Sequence, residues 1–368
     1  MEKTTRHKVL ALFSGGLDSL LAARLIQEQG LEVLCLHFVS PFFGTPAKIP
    51  YWSETYGLAI EAVDIADDFV AMLKRRPVHG FGSALNPCVD CKILMMRRAA
   101  GLLAERGASC LVSGEVLGQR PMSQRRDTLN VIRRDAGVKD LLLRPLSALL
   151  LGPTPVEEAG IVDRARLLGL SGRGRKAQRA LAERFGLKEK DIPNPAGGCR
   201  LTERENARSY WPVLVHTPEA TAVDFHLANT GRQFWLGLDD GTAGAATDKY
   251  RLIVGRKQDD NSRIMELAGP RDLLLKARDF PGPVALGRFF GRRWPEDAVL
   301  SAAALTASYS TKAAQYASDT GEAVAVRVHE GSLDAPGREV LVTPSRAGDA
   351  AWREGAFDEV REGLRPKA

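Results

Sequence analysis

Apolar and polar positions in the first two hundred residues switch between two rhythms. Val9-Leu-Ala-Leu-Phe13 is a continuous apolar run of strand length, and after Ser14-Gly-Gly-Leu-Asp-Ser19 the apolar positions fall at Leu20, Leu21 and Leu25, the spacing of a helix. Glu32 to Phe38 and Leu58 to Ile65 predict a second and a third strand, and the stretch from Asp67 to Lys74 predicts a helix. Ser109-Cys-Leu-Val112 reads as a further strand, and Asn86-Pro-Cys-Val-Asp-Cys-Lys92 as a loop that enters a helix through Ile93, Leu94, Met96 and Ala100. Strands that alternate with helices predict an α/β fold with a doubly wound parallel sheet and a ligand at the carboxyl ends of the strands.

Beyond Asn206 the rhythm changes, and Pro212 and Pro218 mark a linker. The expected division is a first domain over 1–205, a linker over 206–223, a smaller α+β domain over 224–345 and a C-terminal tail over 346–368. Strands are expected from His226 to Leu238 and from Tyr250 to Val254. A Gly255-Arg-Lys loop, an Asp279-Phe-Pro-Gly turn, an alanine-rich helix over 298–318, and strands over 323–329 and 339–343 follow.

A length of 368 residues with 44% hydrophobic content suits two or three domains with real cores. The net charge of +6 leans only weakly toward a polyanionic partner. Apolar runs fall short of a membrane span, and Met1 to His7 lacks an apolar signal region, so a cytoplasmic protein with no membrane partner is expected. Five cysteines, a small odd number, argue against a disulfide framework and for metal or catalytic use of some. Cys35 and Cys110 fall inside strands and read as small buried hydrophobes.

The chemistry concentrates at the strand-to-helix turns. Two adjacent glycines let successive backbone N–H groups face one point, and the helix behind them adds its own N–H groups and dipole, so Ser14 to Ser19 predicts an anion site. It lacks the Gly-Lys-Ser/Thr ending of the common phosphate loop and the third glycine of the dinucleotide fingerprint. Cys88 and Cys91 stand at a helix start, where the dipole favours thiolates, and Cys199 stands in the Pro/Gly loop that begins at Pro193. Three loop cysteines are open to zinc with a fourth ligand such as His37 or His79, to redox use, or to a [4Fe–4S] cluster with one iron left open.

Ser14-Gly-Gly-Leu-Asp-Ser19 resembles the pyrophosphate loop of the ATP pyrophosphatase (PP-loop) family, which cleaves ATP between the α and β phosphates to adenylate a carbonyl oxygen. Together with Leu111 to Gln124 and Leu141-Leu-Leu-Arg-Pro-Leu146, residues 1 to about 205 are similar to the catalytic domain of tRNA 4-thiouridine synthases. The resemblance implies an adenine nucleotide hydrolase-like sheet, ATP held by Ser14, Gly15, Gly16, Asp18, Ser19, Gly114 and Gln119, and Mg²⁺ held by Asp18. In related tRNA thiolation enzymes a Cys-x-x-Cys and a later cysteine bind a [4Fe–4S] cluster, which implies metal-binding and catalytic roles for Cys88, Cys91 and Cys199 beside the catalytic Asp18. The chain is expected to depart from that family in having no N-terminal RNA-binding region before the loop and no rhodanese-like sulfur carrier after it; the expected partner is a sulfur donor, either a protein or inorganic sulfide.

Basic residues cluster at Arg120, Arg125, Arg126, Arg133 and Arg134, and again at Arg164, Arg166, Arg173, Arg175, Lys176, Arg179 and Arg184. Arg125, Arg126, Arg173, Arg175 and Lys176 are the expected RNA contacts. Roughly 225 to 345 resembles the RNA-binding domain of NFACT proteins, which implies phosphate contact at Arg256, Lys257, Arg278 and Lys312; a dimerisation domain, giving a homodimer, is the other use. The expected function is an ATP-dependent RNA sulfurtransferase acting on a uridine of tRNA. An ATP-dependent ligase or amidotransferase of the same fold, and an RNA- or ribosome-binding factor with a nucleotide-sensing domain, are the alternatives.

Overall fold

In a computed structural model of the chain, which describes residues 8–193, 198–237, 249–346 and 352–364, the parallel strands are β1 (Lys8–Leu12), β2 (Glu32–Val39), β3 (Ala59–Asp64), β4 (Ala108–Ser113) and β5 (Leu142–Leu143). They lie in the order β3-β2-β1-β4-β5, with Leu10 opposite Leu34 on one side and Leu111 on the other. Parallel strands covered on both faces must be apolar on both. Val9, Ala11, Val33, Cys35, Cys110 and Val112 share one core cluster with helix Leu17–Gln27, while Leu10, Leu36 and Leu111 are buried on the opposite face. Cys35 and Cys110 are therefore core residues, and burial pushes both thiols up to about 12. Strand order reverses between β1 and β4, so the loops after these two strands flank the switch point.

The chain divides into Met1–Thr202 and Glu203–Ala368. The second unit holds an antiparallel sheet of β6 (Arg232–Leu236), β7 (Tyr250–Val254), β8 (Leu273–Ala277), β9 (Ala285–Arg288), β10 (Val324–Glu330) and β11 (Gly337–Val342), ordered β11-β10-β8-β9-β7-β6. Alternation sends Leu252, Leu275 and Ala285 to one core and Ile253, Leu274 and Leu286 to the other.

Several local expectations change here. Much of the stretch expected as a linker is helix Arg204–His216, which runs through Pro212 and buries Ala207, Tyr210, Trp211 and Val213. The expected strand at His226 is helix Ala222–Ala228, started by a Thr221/Asp224 capping box, and Leu238 lies outside the described residues. The alanine-rich stretch is two helices, Glu296–Ser308 and Thr311–Thr320, the second capped by Ser310. The expected tail contains the buried Trp352 and helix Phe357–Gly363, with its 347–351 and 365–368 outside the described residues. No helix among the described residues is long and apolar enough to cross a membrane.

Candidate nucleotide and thiol site

β1 ends in the Ser14–Ser19 loop. Ser19 Oγ donates to the Gly16 carbonyl at 2.8 Å and accepts from the Ser14 N–H at 3.2 Å, so the loop closes on itself. Among the described residues no acceptor meets the N–H groups of Gly15, Gly16 or Leu17, the donors that an anion at a helix start would take. Gly15 has φ +76°, and a Cβ there would come within 2.5 Å of Trp52 Cζ2. Trp52 itself is buried edge-on against Phe13 and His37, with ring centroids 5.4 and 5.0 Å away.

The loop after β4 meets the first one directly. A Cβ on Gly114 would lie 2.6 Å from the Asp18 carbonyl carbon and from Ser19 Cα, so only glycine lets these two backbones touch. Gln119 Nε2 donates to Asp18 Oδ2 at 2.9 Å. Among the described residues that bond leaves Asp18 Oδ1 and Gln119 Oε1 buried without a donor, an arrangement that normally costs free energy unless a cation or donor fills it. Leu117 and Ser171 form a backbone bridge, and the Gly172 N–H donates to the Leu117 carbonyl at 2.8 Å, which fastens Arg173, Arg175 and Lys176 beside this second loop.

Cys88 and Cys91 occupy the first turn of helix Cys88–Gly101. Asn86 Nδ2 lies 3.2 Å from Cys88 Sγ, and the Asp90 carboxylate accepts from the N–H groups of Val78 and His79, both at 3.0 Å. Two backbone bonds pin the Cys199 loop: the Leu85 N–H donates to the Leu201 carbonyl at 3.1 Å, and the Arg200 N–H to the Phe42 carbonyl at 2.9 Å. Residues 194–197 of that loop lie outside the described residues. Burial, then the nearby Cys199, pushes the Cys91 thiol well above its ordinary range; Cys88 adds to the rise and Lys92 opposes it. Among the described residues no group of three His, Cys, Asp or Glu side chains is set to hold a metal ion.

The histidines named as a fourth ligand are both engaged. The Thr45 N–H donates to His37 Nε2 at 2.9 Å, which leaves Nδ1 to donate to the Phe13 carbonyl at 3.0 Å. Burial lowers the pKa of His37, the bond to Phe13 partly offsetting it, so His37 is a neutral core residue rather than a ligand. His79 Nε2 stands 3.0 Å from Asp135 Oδ2.

Sequence reasoning passed over a buried charge cluster that joins the second loop to helix Cys88–Gly101. Glu115, 2% exposed, takes Lys92 Nζ at 2.7 Å and Arg144 Nε at 2.8 Å. Burial alone would raise the Glu115 carboxyl, but Lys92 and Arg144 overcome it and hold it at about 2. Arg144 lies in the Leu141–Leu146 stretch and Glu115 follows Gly114, yet nothing in the local pattern pairs them.

The basic residues sort by partner. Arg134, Arg164, Arg179 and Arg184 are spent on Asp135, Glu157, Glu189 and Glu28. Arg125 is well exposed, 3.5 Å from Asp127, and Arg126 donates to the Leu150 carbonyl at 3.0 Å. Among the described residues no carboxylate pairs with Arg173, Arg175 or Lys176, and Arg173 and Lys176 are exposed. In the second unit Arg256 donates to the Gly231 carbonyl and Lys257 pairs with Asp259 at 2.9 Å. Arg278 is held by Asp279 and Glu339, both at 2.6 Å, and Lys312 is exposed.

Residues 4–151 match the family model described as "Thiamine biosynthesis protein (ThiI)", and residues 245–336 match that of the "NFACT protein RNA binding domain". A probable tRNA sulfurtransferase of Thermococcus kodakarensis is 29% identical over 170 residues, 45% of this chain and 42% of that protein. One of Methanobrevibacter smithii is 31% identical over 156 residues, 39% of this chain and 38% of that protein. The matched part thus spans about two-fifths of the length of these relatives. Two solved structures bear a loose likeness. A predicted subunit of tRNA methyltransferase from Methanocaldococcus jannaschii has a TM-score of 0.30 at 16% identity, over 48% of this chain and 75% of that one. The C-terminal part of the fibronectin/fibrinogen-binding protein from Streptococcus suis has a TM-score of 0.24 at 16% identity, over 70% and 95%. The chain is similar to PP-loop tRNA thiolation enzymes in its first unit, and to the RNA-binding domain of NFACT proteins in its second.

Proposed function

We propose that the chain is an ATP-dependent tRNA sulfurtransferase of the cytoplasm that adenylates a uridine carbonyl oxygen and replaces that oxygen with sulfur. The observation that carries this reading is the pair of loops at the switch point, where open N–H groups from Gly15 to Leu17 lie next to the bare oxygens of Asp18 and Gln119. Those N–H groups and the helix behind them would hold the pyrophosphate end of ATP. The uridine oxygen bonds to the α-phosphorus as the bond to the departing pyrophosphate breaks, and sulfur then takes the carbon while AMP leaves with the oxygen. Glycine N–H groups, fixed before the reaction, would meet the charge that gathers on the leaving pyrophosphate.

Two hard oxygens without donors fit Mg²⁺, so Asp18 Oδ1 and Gln119 Oε1 would hold the ion, which when bound neutralises phosphate charge. Cys88, Cys91 and Cys199 suit a [4Fe–4S] cluster in chemistry, three soft sulfur donors whose charges are felt at Cys91, and would bind three of its irons. When bound, such a cluster would supply an open iron for sulfide from a protein or inorganic donor. Arg125, Arg126, Arg173, Arg175 and Lys176 would contact tRNA phosphates beside the site, and Arg256, Lys257 and Lys312 those at the second unit.

Pyrophosphate release from labelled ATP in the presence of tRNA tests the reading. Asp18→Ala should lower the rate by about 10²-fold or more with the far-ultraviolet dichroism unchanged, because the carboxylate serves charge at the reacting centre. A wild-type rate in that variant would remove the reading.

A further inference from the structure

The charge cluster at Glu115 joins the two halves of the site through an unbroken chain of contacts. Cys91 is followed by Lys92, whose Nζ reaches Glu115 Oε1 at 2.7 Å. Glu115 follows Gly114, whose Cα has no room for a methyl group against Asp18 and Ser19. Arg144, 5% exposed, fixes the far side of Glu115 at 2.8 Å and donates to the Leu129 carbonyl at 3.2 Å, so Glu115 cannot swing away. Lys92 is the member nearest solvent and the one on the thiol-bearing helix.

Buried ion pairs seldom add net stability over an apolar replacement, so a pair kept at such a place calls for a positional reason. Packed interiors transmit displacement, and here the backbone of the second nucleotide loop cannot move without carrying Glu115, nor Glu115 without Lys92. We propose that Lys92 is a positioning residue that, through Glu115, couples the start of the Cys88–Gly101 helix to the nucleotide loop, so that ATP in the loop alters the reactivity of the Cys88 and Cys91 thiols. The inference rests on the reading of Ser14–Ser19 as an ATP loop. It is independent of any metal.

The test is alkylation of the full chain by iodoacetamide without added metal, followed peptide by peptide by mass spectrometry, with and without saturating ATP. ATP affinity is measured in parallel by calorimetry. In the wild type, ATP should change the labelling rate of Cys88 or Cys91 by about tenfold, a coupling usual between linked sites. Lys92→Met should bind ATP within about twofold of the wild type and lose that change, and Lys92→Arg should recover it. Labelling indifferent to ATP in the wild type, or an unaltered response in Lys92→Met, would overturn the coupling. Absence of ATP binding in the wild type would instead sink the ATP-loop reading, and the coupling with it.

Discussion

Gly114 is the residue on which the geometry of the site turns, because its missing side chain lets the backbone of the second loop touch that of the first. A methyl group there would press on the Asp18 carbonyl and Ser19 Cα at 2.6 Å, and neither is the loose end of a side chain. Gly114→Ala should therefore displace the Asp18 turn, cost about 1–3 kcal/mol as overpacking does, and weaken ATP binding in calorimetry by more than tenfold. Unchanged affinity would mean that the two loops do not act together. Residues of this kind were only half legible in the sequence. Ser14 to Ser19 could be read because its chemistry is local: two glycines, then a helix start. The bond from Gln119 to Asp18 and the cluster of Lys92, Glu115 and Arg144 could not, since each joins stretches that only the sheet order brings together. His37 looked like a ligand for the same reason; its two ring partners, Phe13 and Thr45, are visible only in the fold.

Among the elements, helix Cys88–Gly101 is fastened to the sheet by charge as well as by its apolar face, and this gives it an acid sensitivity. The folded carboxyl of Glu115, held at about 2, lies below its ordinary 4.5. Its contribution to stability is thus complete above the ordinary value and is lost as pH falls from about 4.5 toward 2. Glu115→Gln should cost about 3–5 kcal/mol at neutral pH by leaving two buried cations behind. Urea unfolding followed by dichroism should then show the wild type losing more stability than the variant between pH 4.5 and 3. Parallel losses would assign the acid sensitivity elsewhere. In the first unit β1 and β4 were readable because each is an apolar run that ends in a glycine loop, at Gly15 and Gly114. In the second unit β8 and β9 were not marked, and helix Arg204–His216 overrode its proline by burying Tyr210, Trp211 and Val213. Pro212 has no N–H for the Arg208 carbonyl one turn earlier, and Gly355 packs against that carbonyl, where a Cβ would come within 2.2 Å.

At the scale of the molecule, a parallel sheet with a nucleotide site and an antiparallel sheet similar to an RNA-binding domain lie on one chain. Chemistry on a base and a grip on the phosphates around it are separate tasks, and in the proposed function the exposed arginines at Arg125 and Arg173 would put part of the grip on the first unit itself. The central claim is that ATP is spent to exchange a uridine oxygen for sulfur. It is met most directly by incubating purified full-length protein, reconstituted with iron and sulfide without oxygen, with a tRNA transcript, ATP, Mg²⁺ and excess inorganic sulfide as sulfur donor, then digesting the RNA and weighing its nucleosides by mass spectrometry. A uridine made heavier by the oxygen-to-sulfur difference is expected in the wild type, absent without ATP and absent in Asp18→Ala. A thiolated uridine that forms equally without ATP, or tRNA left unchanged while ATP is hydrolysed to AMP and pyrophosphate, would contradict the claim.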